Sequence, residues 1–394
     1  MPESMTRRDF IKTSAALAAL RPGDYGRRAA GAGLAISEAT RRTEGEAETP
    51  APPEWRNRNP ELRYRRLGRT GFMVSEIVCG GDPITPTNIH HVEVAIGMGL
   101  NYLDTSPVYN DGLSEEGYSK LIQGADRGRV FVNTKVDPFS GNRYKAYVEV
   151  FKSLPATEQA EVLRASGEDM ARRQATVPEY MGGYFTGQER QIEEMAIANV
   201  LEKKYGAKID RPKVYAQTII QSLEGSLRRL RTDHVDLLMC PHGAASPEEV
   251  RIPEIFEAFE KLKQQGKVRY LGVSSHSDPA GVLGAAMETG VYSMAMIAYN
   301  IINRRYVEPV IAEAKRRDFG VINMKSAQAV FHRDRSPVPF PERAALLEKL
   351  VPGDMGLHQK AYTFSLGNPN ISAVISNMVD EKQVRENLPV ALRT

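Results

Sequence analysis

Four residues spread along the chain have the side-chain types that a proton-delivery site needs. Asp104 and Tyr109 lie five positions apart in "NYLDTSPVYNDGLSEE", Lys135 closes "VFVNTK", and His242 closes "DLLMCPH". A free tyrosine has a pKa near 10 and is a poor acid at neutral pH, but a lysine ammonium close by favours the phenolate. At ~4 Å and an effective dielectric of ~20 the attraction is ~4 kcal/mol, an upper figure equal to roughly three pKa units. Tyr109 would then be a usable proton donor, Asp104 would hold Lys135 charged and in place, and His242 would orient a carbonyl or relay the proton.

Such a device works only if different elements bring the four together. "LRYRRLGRTGFMVSEIVCGG" reads as a β-hairpin turning at Gly68 to Gly71, followed by a first buried strand over 75–81. Short apolar runs then alternate with helix-length segments: 101–106, 130–136, 235–240, 270–275, 294–300, 320–326 and 373–378. Amphipathic helices lie between most of them. Ile220, Leu223, Leu227 and Leu230 follow the helical period, as do Ile255, Phe259 and Leu262. Eight βα units in one chain predict an α/β fold, a closed (β/α)8 TIM barrel, better than an open sheet. In such a barrel Asp104, Tyr109, Lys135 and His242 all fall at the C-terminal ends of strands, where active sites gather.

One segment breaks the rhythm. About 80 residues separate Lys135 from the helix expected at Gln217, where a βα loop takes about 2 to 6. "EQAEVLRASGEDMARRQ" and "ERQIEEMAIANVLEKKYGAKI" both read as helices, with "TVPEYMGGYFTG" as a loop between them. This insertion, about 138–212, follows the third barrel strand and should rise on the active-site face, as a lid, a substrate wall, a dimer contact or packing decoration.

Composition excludes several classes. Fifty-two Lys plus Arg against 49 Asp plus Glu leave a net charge of +3 on 394 residues, too near balance to imply a nucleic-acid or membrane-surface partner. Cys79 and Cys240 have no ligand spacing, so no metal site is expected; they would end strands one and four and remain free thiols. No apolar run reaches the ~18 to 20 residues of a spanning helix, so no stable membrane insertion is expected. The glycines of "GAGLAIS" follow no strand and make no dinucleotide fingerprint. His90 and His91 read as structural, and His234 and His276 as solvated.

At the N-terminus, "MTRRDFIKTSAALAAL" sets Arg7 and Arg8 before Phe10, Ile11 and Lys12, then an Ala-rich stretch ending at Arg21. It resembles the twin-arginine (Tat) export signal of bacteria, which implies the Tat machinery as a partner and a periplasmic or extracellular destination. The reading is a signal segment over 1–36, a linker over 37–60 that ends in the Pro-rich "ETPAPPEW", and a barrel domain over 61–394.

"LGRTGFMVSEIVCGG", "NYLDTSPVYNDGLSEE", "VFVNTK", "SLEGSLRRLRTDHVDLLM", "GKVRYLGVSSHS", "AYNIINRR" and "AVISNMVDEKQVRENL" stand in the order and spacing of the aldo-keto reductase family, which the chain resembles from about Leu62 to its end, the insertion apart. The resemblance implies a barrel enzyme that reduces a small carbonyl substrate, an aldehyde or ketone, with hydride from NADPH or NADH. It carries the family's tetrad to Asp104, Tyr109, Lys135 and His242, although His242 stands one residue later than usual, behind Pro241. It implies a cofactor-binding set of Gly81, Ser274, Ser275, Met296, Lys325, Asn377, Met378, Gln383, Glu386 and Asn387. Four of these depart from the family: Ser275 and Met296 replace amide side chains at the nicotinamide, and Asn377 and Gln383 replace the cations that grip the 2'-phosphate of NADPH, with Arg385 nearby. Those departures also suit a second reading, a non-catalytic homologue that binds a nucleotide or a partner.

Overall fold

The computed structural model describes residues 51–332 and 337–393; the Tat-like segment lies outside them. Strands β1 (Glu54–Trp55), β2 (Tyr64–Arg66) and β3 (Phe72–Ser75) form a small sheet at one end of the molecule. The eight that follow are β4 (Ile77–Gly80), β5 (Tyr102–Asp104), β6 (Phe131–Lys135), β7 (Val235–Met239), β8 (Val268–Ser275), β9 (Met294–Ala298), β10 (Gly320–Met324) and β11 (Ala373–Ser376). They pair in sequence order, all parallel, and β11 closes on β4. The protein is a (β/α)8 TIM barrel.

The pleat sorts the side chains. Alternate residues such as Val78, Tyr102, Phe131, Leu237, Met239, Met294, Met296 and Ile322 fill the interior. Their neighbours, among them Ile77, Leu103, Val132 and Leu238, pack outward against the helices. The β2–β3 hairpin plugs the N-terminal end: Phe72 enters the interior cluster, stacks on Phe131 at 4.1 Å and meets Tyr270 edge-on at 5.2 Å. Its turn passes so close to the barrel that a Cβ on Gly68, at φ +49°, would stand 2.2 Å from the Gly320 nitrogen. Only glycine fits there.

The expected linker is corrected by this end of the fold. Its last ten residues, 51–60, are part of the barrel, because they supply polar groups that the N-terminal end needs. Glu54 and Trp55 pair in parallel with Phe72 and Met73. Asn57 and Asn59 donate to the carbonyls of Ile96, Leu100 and Met98, at 2.6, 2.9 and 2.7 Å. Arg56 joins Arg127 and Arg269 around the fully buried carboxylate of Asp236, at 3.0, 2.8 and 2.9 Å. Burial alone would raise the Asp236 pKa, but Arg127, Arg56 and the Val132 amide more than offset it and hold it below the ordinary carboxylate value.

Replacing Asp236 with Ala therefore leaves this cationic cluster without its anion, and the unfolding free energy should drop by about 3 to 5 kcal/mol in a urea titration. Because the folded pKa is depressed, the carboxylate's contribution is fully present above the unfolded value of about 4 and fades as pH falls through the folded one. The difference in stability between wild type and Asp236→Ala should accordingly narrow in acid.

The insertion consists of helices Pro138–Ser153, Ala156–Arg172, Pro178–Met181 and Gln188–Tyr205. The short third helix sits inside the stretch expected to be loop, since Pro178 presets the backbone angle of its first turn. Arg143, fully buried, donates to Glu202 and Asn199 and locks the first helix to the last. The insertion is also bolted to the barrel's C-terminal face. Arg173 and Tyr180 both reach Asp278, at 2.8 and 2.5 Å, Asn300 donates to the Tyr184 hydroxyl at 2.7 Å, and Gln191 donates to the Gly243 carbonyl at 3.2 Å. These contacts fix the insertion to the loops at the C-terminal ends of the strands.

Candidate active site

Asp104 pairs with Asn133 across β5 and β6, so Lys135, two residues further on, shares their inward face one layer higher. The Lys135 ammonium donates to the Asp104 carboxylate at 2.6 Å and to the Thr105 carbonyl at 2.8 Å. Asn133 gives the same carboxylate oxygen a further hydrogen bond at 2.6 Å. Both charged residues are 1 % exposed. Burial lowers the Lys135 pKa, and the Asp104 charge and hydrogen bond oppose that fall.

Tyr109 begins the turn that follows β5. Asn110 and Asp111 hold the turn at φ +49° and +53°, a left-handed conformation that short polar side chains tolerate. The Asn110 amide pins it by donating to the carbonyls of Asp82 and Ile84, both at 2.9 Å. The phenol ring is thereby set over the ion pair, with the Lys135 nitrogen 4.5 Å from its centroid. The His242 ring stands edge-on to it, centroids 6.0 Å apart at 82°. His242 reaches this place despite its later position in sequence. Its Nδ1 bonds Asp137 at 2.7 Å, so Nε2 is the nitrogen left for a ligand.

The acidity expected of Tyr109 is corrected here. Its pKa lies well above the ordinary tyrosine value, first through burial and then through the charges of Asp104 and Asp137. The ammonium lies over the ring face and its hydrogen bonds go to Asp104 and Thr105, so it does not outweigh the lost water. The phenol is held protonated at neutral pH.

The expected cofactor set divides. Gly81 backs onto Asp104, where a Cβ would come 2.3 Å from its carbonyl oxygen. Ser274 faces the mouth, and its hydroxyl oxygen accepts from the Gly243 amide at 3.0 Å. Ser275 does not fit the expected contact: adjacent strand residues point to opposite faces, and its hydroxyl donates to Ala244 and accepts from Asp278 outside the barrel. Met296 is in the interior cluster and offers only a weak sulfur acceptor. Met378 is fully buried. Around β11, exposed Asn377 lies 3.5 Å from Asp82, Gln383 accepts from the Val379 amide, Arg385 is paired with Glu381, Glu386 is exposed, and Asn387 bonds Ser376 and Gln359. Lys325 directly follows β10, with His276 in its field.

His276 is the residue most misjudged from sequence. It is half-buried at the mouth, edge-on to Phe185 of the insertion at 5.7 Å, and its pKa is driven well below the ordinary histidine value by burial, then by Lys325, His242 and Lys135. The strand-end rule that selected His242 would have selected it too. Asp137 was missed for want of the same test, two residues beyond Lys135.

The aldo/keto reductase family model matches residues 85–392. The chain is 25 % identical over 349 residues to an oxidoreductase of Bacillus subtilis, YqkF, covering 84 % of this chain and 91 % of that one. It is 22 % identical over 356 residues to L-galactose dehydrogenase of Arabidopsis thaliana, covering 83 % and 88 %. In fold it is similar to aldo-keto reductase AKR11C1 from Bacillus halodurans, holo form, with a TM-score of 0.56, 22 % identity, and 84 % and 92 % of the two chains covered. An aldo-keto reductase from Klebsiella pneumoniae in complex with NADPH superposes with a TM-score of 0.51 at 18 % identity, covering 84 % and 89 %. With the family model spanning more than three quarters of its length, the chain belongs to the aldo/keto reductase family.

Proposed function

We propose that the protein reduces an aldehyde or ketone, with Tyr109 as proton donor and NADH or NADPH as the reductant. The observation that carries this reading is the buried Asp104–Lys135 ion pair directly beneath the Tyr109 ring, with His242 at the ring's edge. A bound nicotinamide cofactor supplies the hydride. Tyr109 delivers the proton to the carbonyl oxygen as negative charge builds there, and Lys135 stabilises the phenolate left behind. Asp104 keeps the ammonium charged, and His242 positions the carbonyl oxygen through Nε2.

The rim suits a dinucleotide in part. The Ser274 hydroxyl keeps its proton free to donate. At Asn377 and Gln383 no cation stands ready for a 2'-phosphate, and charge-assisted hydrogen bonds there are worth about 1.5 to 3 kcal/mol each. NADH and NADPH should therefore bind within about tenfold of one another. Fluorescence titration of both cofactors checks this, and mass spectrometry of material released from the purified protein names the one carried. Oxidation of either cofactor in the presence of an aldehyde panel tests the reaction itself; binding without turnover of any panel member would favour the non-catalytic reading, to which Ser275 and Met296 lend support.

The same proposal places the protein outside the cytoplasm, exported folded through the Tat pathway on Arg7 and Arg8. Changing both to Lys should hold the protein in the cytoplasmic fraction of its host.

A further inference from the structure

We propose that Asp137 is a positioning residue for His242: it accepts the Nδ1 hydrogen bond and supplies the counter-charge of an imidazolium, whose Nε2–H then meets the carbonyl oxygen; this rests on the reductase reading above. The hydrogen bonding decides it. An ionised carboxylate only accepts, so the 2.7 Å contact between Nδ1 and Asp137 puts the proton on Nδ1. In a neutral ring Nε2 is then a bare acceptor, which would face a carbonyl oxygen lone pair to lone pair. Only the doubly protonated ring donates from both nitrogens. Negative charge building on the carbonyl oxygen would also be opposed by Asp137 alone, whereas an imidazolium between the two anions attracts both.

Asp137 is spent on the ring rather than on the helix it begins. It stands at the N-cap of helix Pro138–Ser153, where an aspartate ordinarily turns back to bond the first amides; its carboxylate makes no such bond and crosses to His242 instead. The N-terminal end of the helix favours negative charge there. The loop that carries the ring is fixed from its other side. The Gly243 amide donates to the Ser274 hydroxyl at 3.0 Å, the Ala244 amide to the Ser274 carbonyl at 2.8 Å, and the insertion's neutral Gln191 to the Gly243 carbonyl at 3.2 Å. With only 11 % of the His242 side chain exposed, the pair is largely shielded from solvent ions. Other titratable groups surround the ring. Lys135 and Asp104 form their own pair, Tyr109 stands edge-on, and His276 lies on the Gly243 side, where a Cβ on that glycine would come 3.7 Å from the His276 Nδ1. Burial, ahead of the charges of Lys325, His242 and Lys135, holds His276 neutral, so it adds no competing cation. Burial and Asp104 act on Tyr109 ahead of Asp137, so the phenol stays protonated at neutral pH without it.

The test compares wild type with Asp137→Asn, which keeps a side-chain oxygen for Nδ1 and loses the charge, in benzaldehyde reduction by the holoenzyme. KM for the aldehyde should rise about tenfold or more, with a smaller fall in kcat, as loss of a hydrogen bond from a charged group implies. The alkaline decline of kcat/KM should begin about one pH unit earlier than in wild type, because a neighbouring opposite charge shifts a titration by at least about that much. Thermal unfolding and cofactor affinity should stay close to wild type. Nitrogen NMR of the histidine rings, assigned with His242→Gln, gives a readout free of turnover: the doubly protonated signature of His242 should survive to higher pH in wild type than in Asp137→Asn. That result supports the role of Asp137 even if no aldehyde is reduced, an outcome that would sink only the reductase reading. An unchanged KM and pH profile in Asp137→Asn overturn the proposal. So does a defect confined to stability, which would make the pair a brace between the loops after β6 and β7.

Discussion

Tyr109→Phe should lower kcat for aldehyde reduction by about a thousandfold, within the range of about 10² to 10⁴ that a positioned general acid contributes. The change removes one hydroxyl and leaves the ring between the Lys135 ammonium and the His242 edge, so fold and cofactor affinity should stay close to wild type. A stopped-flow or steady-state loss smaller than tenfold would mean that the proton comes from elsewhere. The raised pKa of the phenol sets the pH dependence. The donor form is the protonated one, so reduction should hold level through neutral pH and decline only in alkali, above the usual tyrosine value of about 10. Had the ammonium prevailed over burial, the decline would begin near neutrality.

Lys135→Met should cost both stability and activity, and the two can be separated. Removing the ammonium leaves the buried Asp104 carboxylate with the Asn133 amide as its one remaining side-chain donor among the described residues, which should lower the unfolding free energy by about 3 to 5 kcal/mol. Turnover should fall at least as far as in Tyr109→Phe, because the phenolate loses the charge that stabilises it. Combining Lys135→Met with Asp104→Leu removes both ions. Most of the lost stability should return, as when buried pairs are replaced by apolar residues, while activity should not. Recovery of turnover in the double variant would show the ion pair to be structural alone.

The barrel was legible because each strand is a short apolar run and each run is followed by an amphipathic helix. Asp104 and Lys135 were legible for the same reason: they end runs, and strand alternation gives them one face. The acidity of Tyr109 was not, since the spacing of residues says nothing about how much water surrounds a side chain. Neither was the role of Arg56 and Asn57. A proline-rich stretch reads as a spacer, and only the orphan carbonyls and the buried Asp236 on the barrel's underside reveal why it packs. Ser274 and Ser275 were treated alike, although adjacent strand residues point to opposite faces and the Ser275 hydroxyl is taken up by Ala244 and Asp278. The mouth's second histidine was hidden by a missing partner: its neighbours Phe185 and Lys325 lie about 90 and about 50 residues away along the chain.

The collar formed by residues 54–59 restricts any trimming of the amino terminus. A peptidase that cut beyond residue 54 would break into the β1 pairing, and one that cut beyond residue 56 would also carry off one of the guanidinium groups on Asp236, opening the underside of the closed ring of strands. Mature forms of this protein should therefore all retain Glu54, however far upstream their first residue lies.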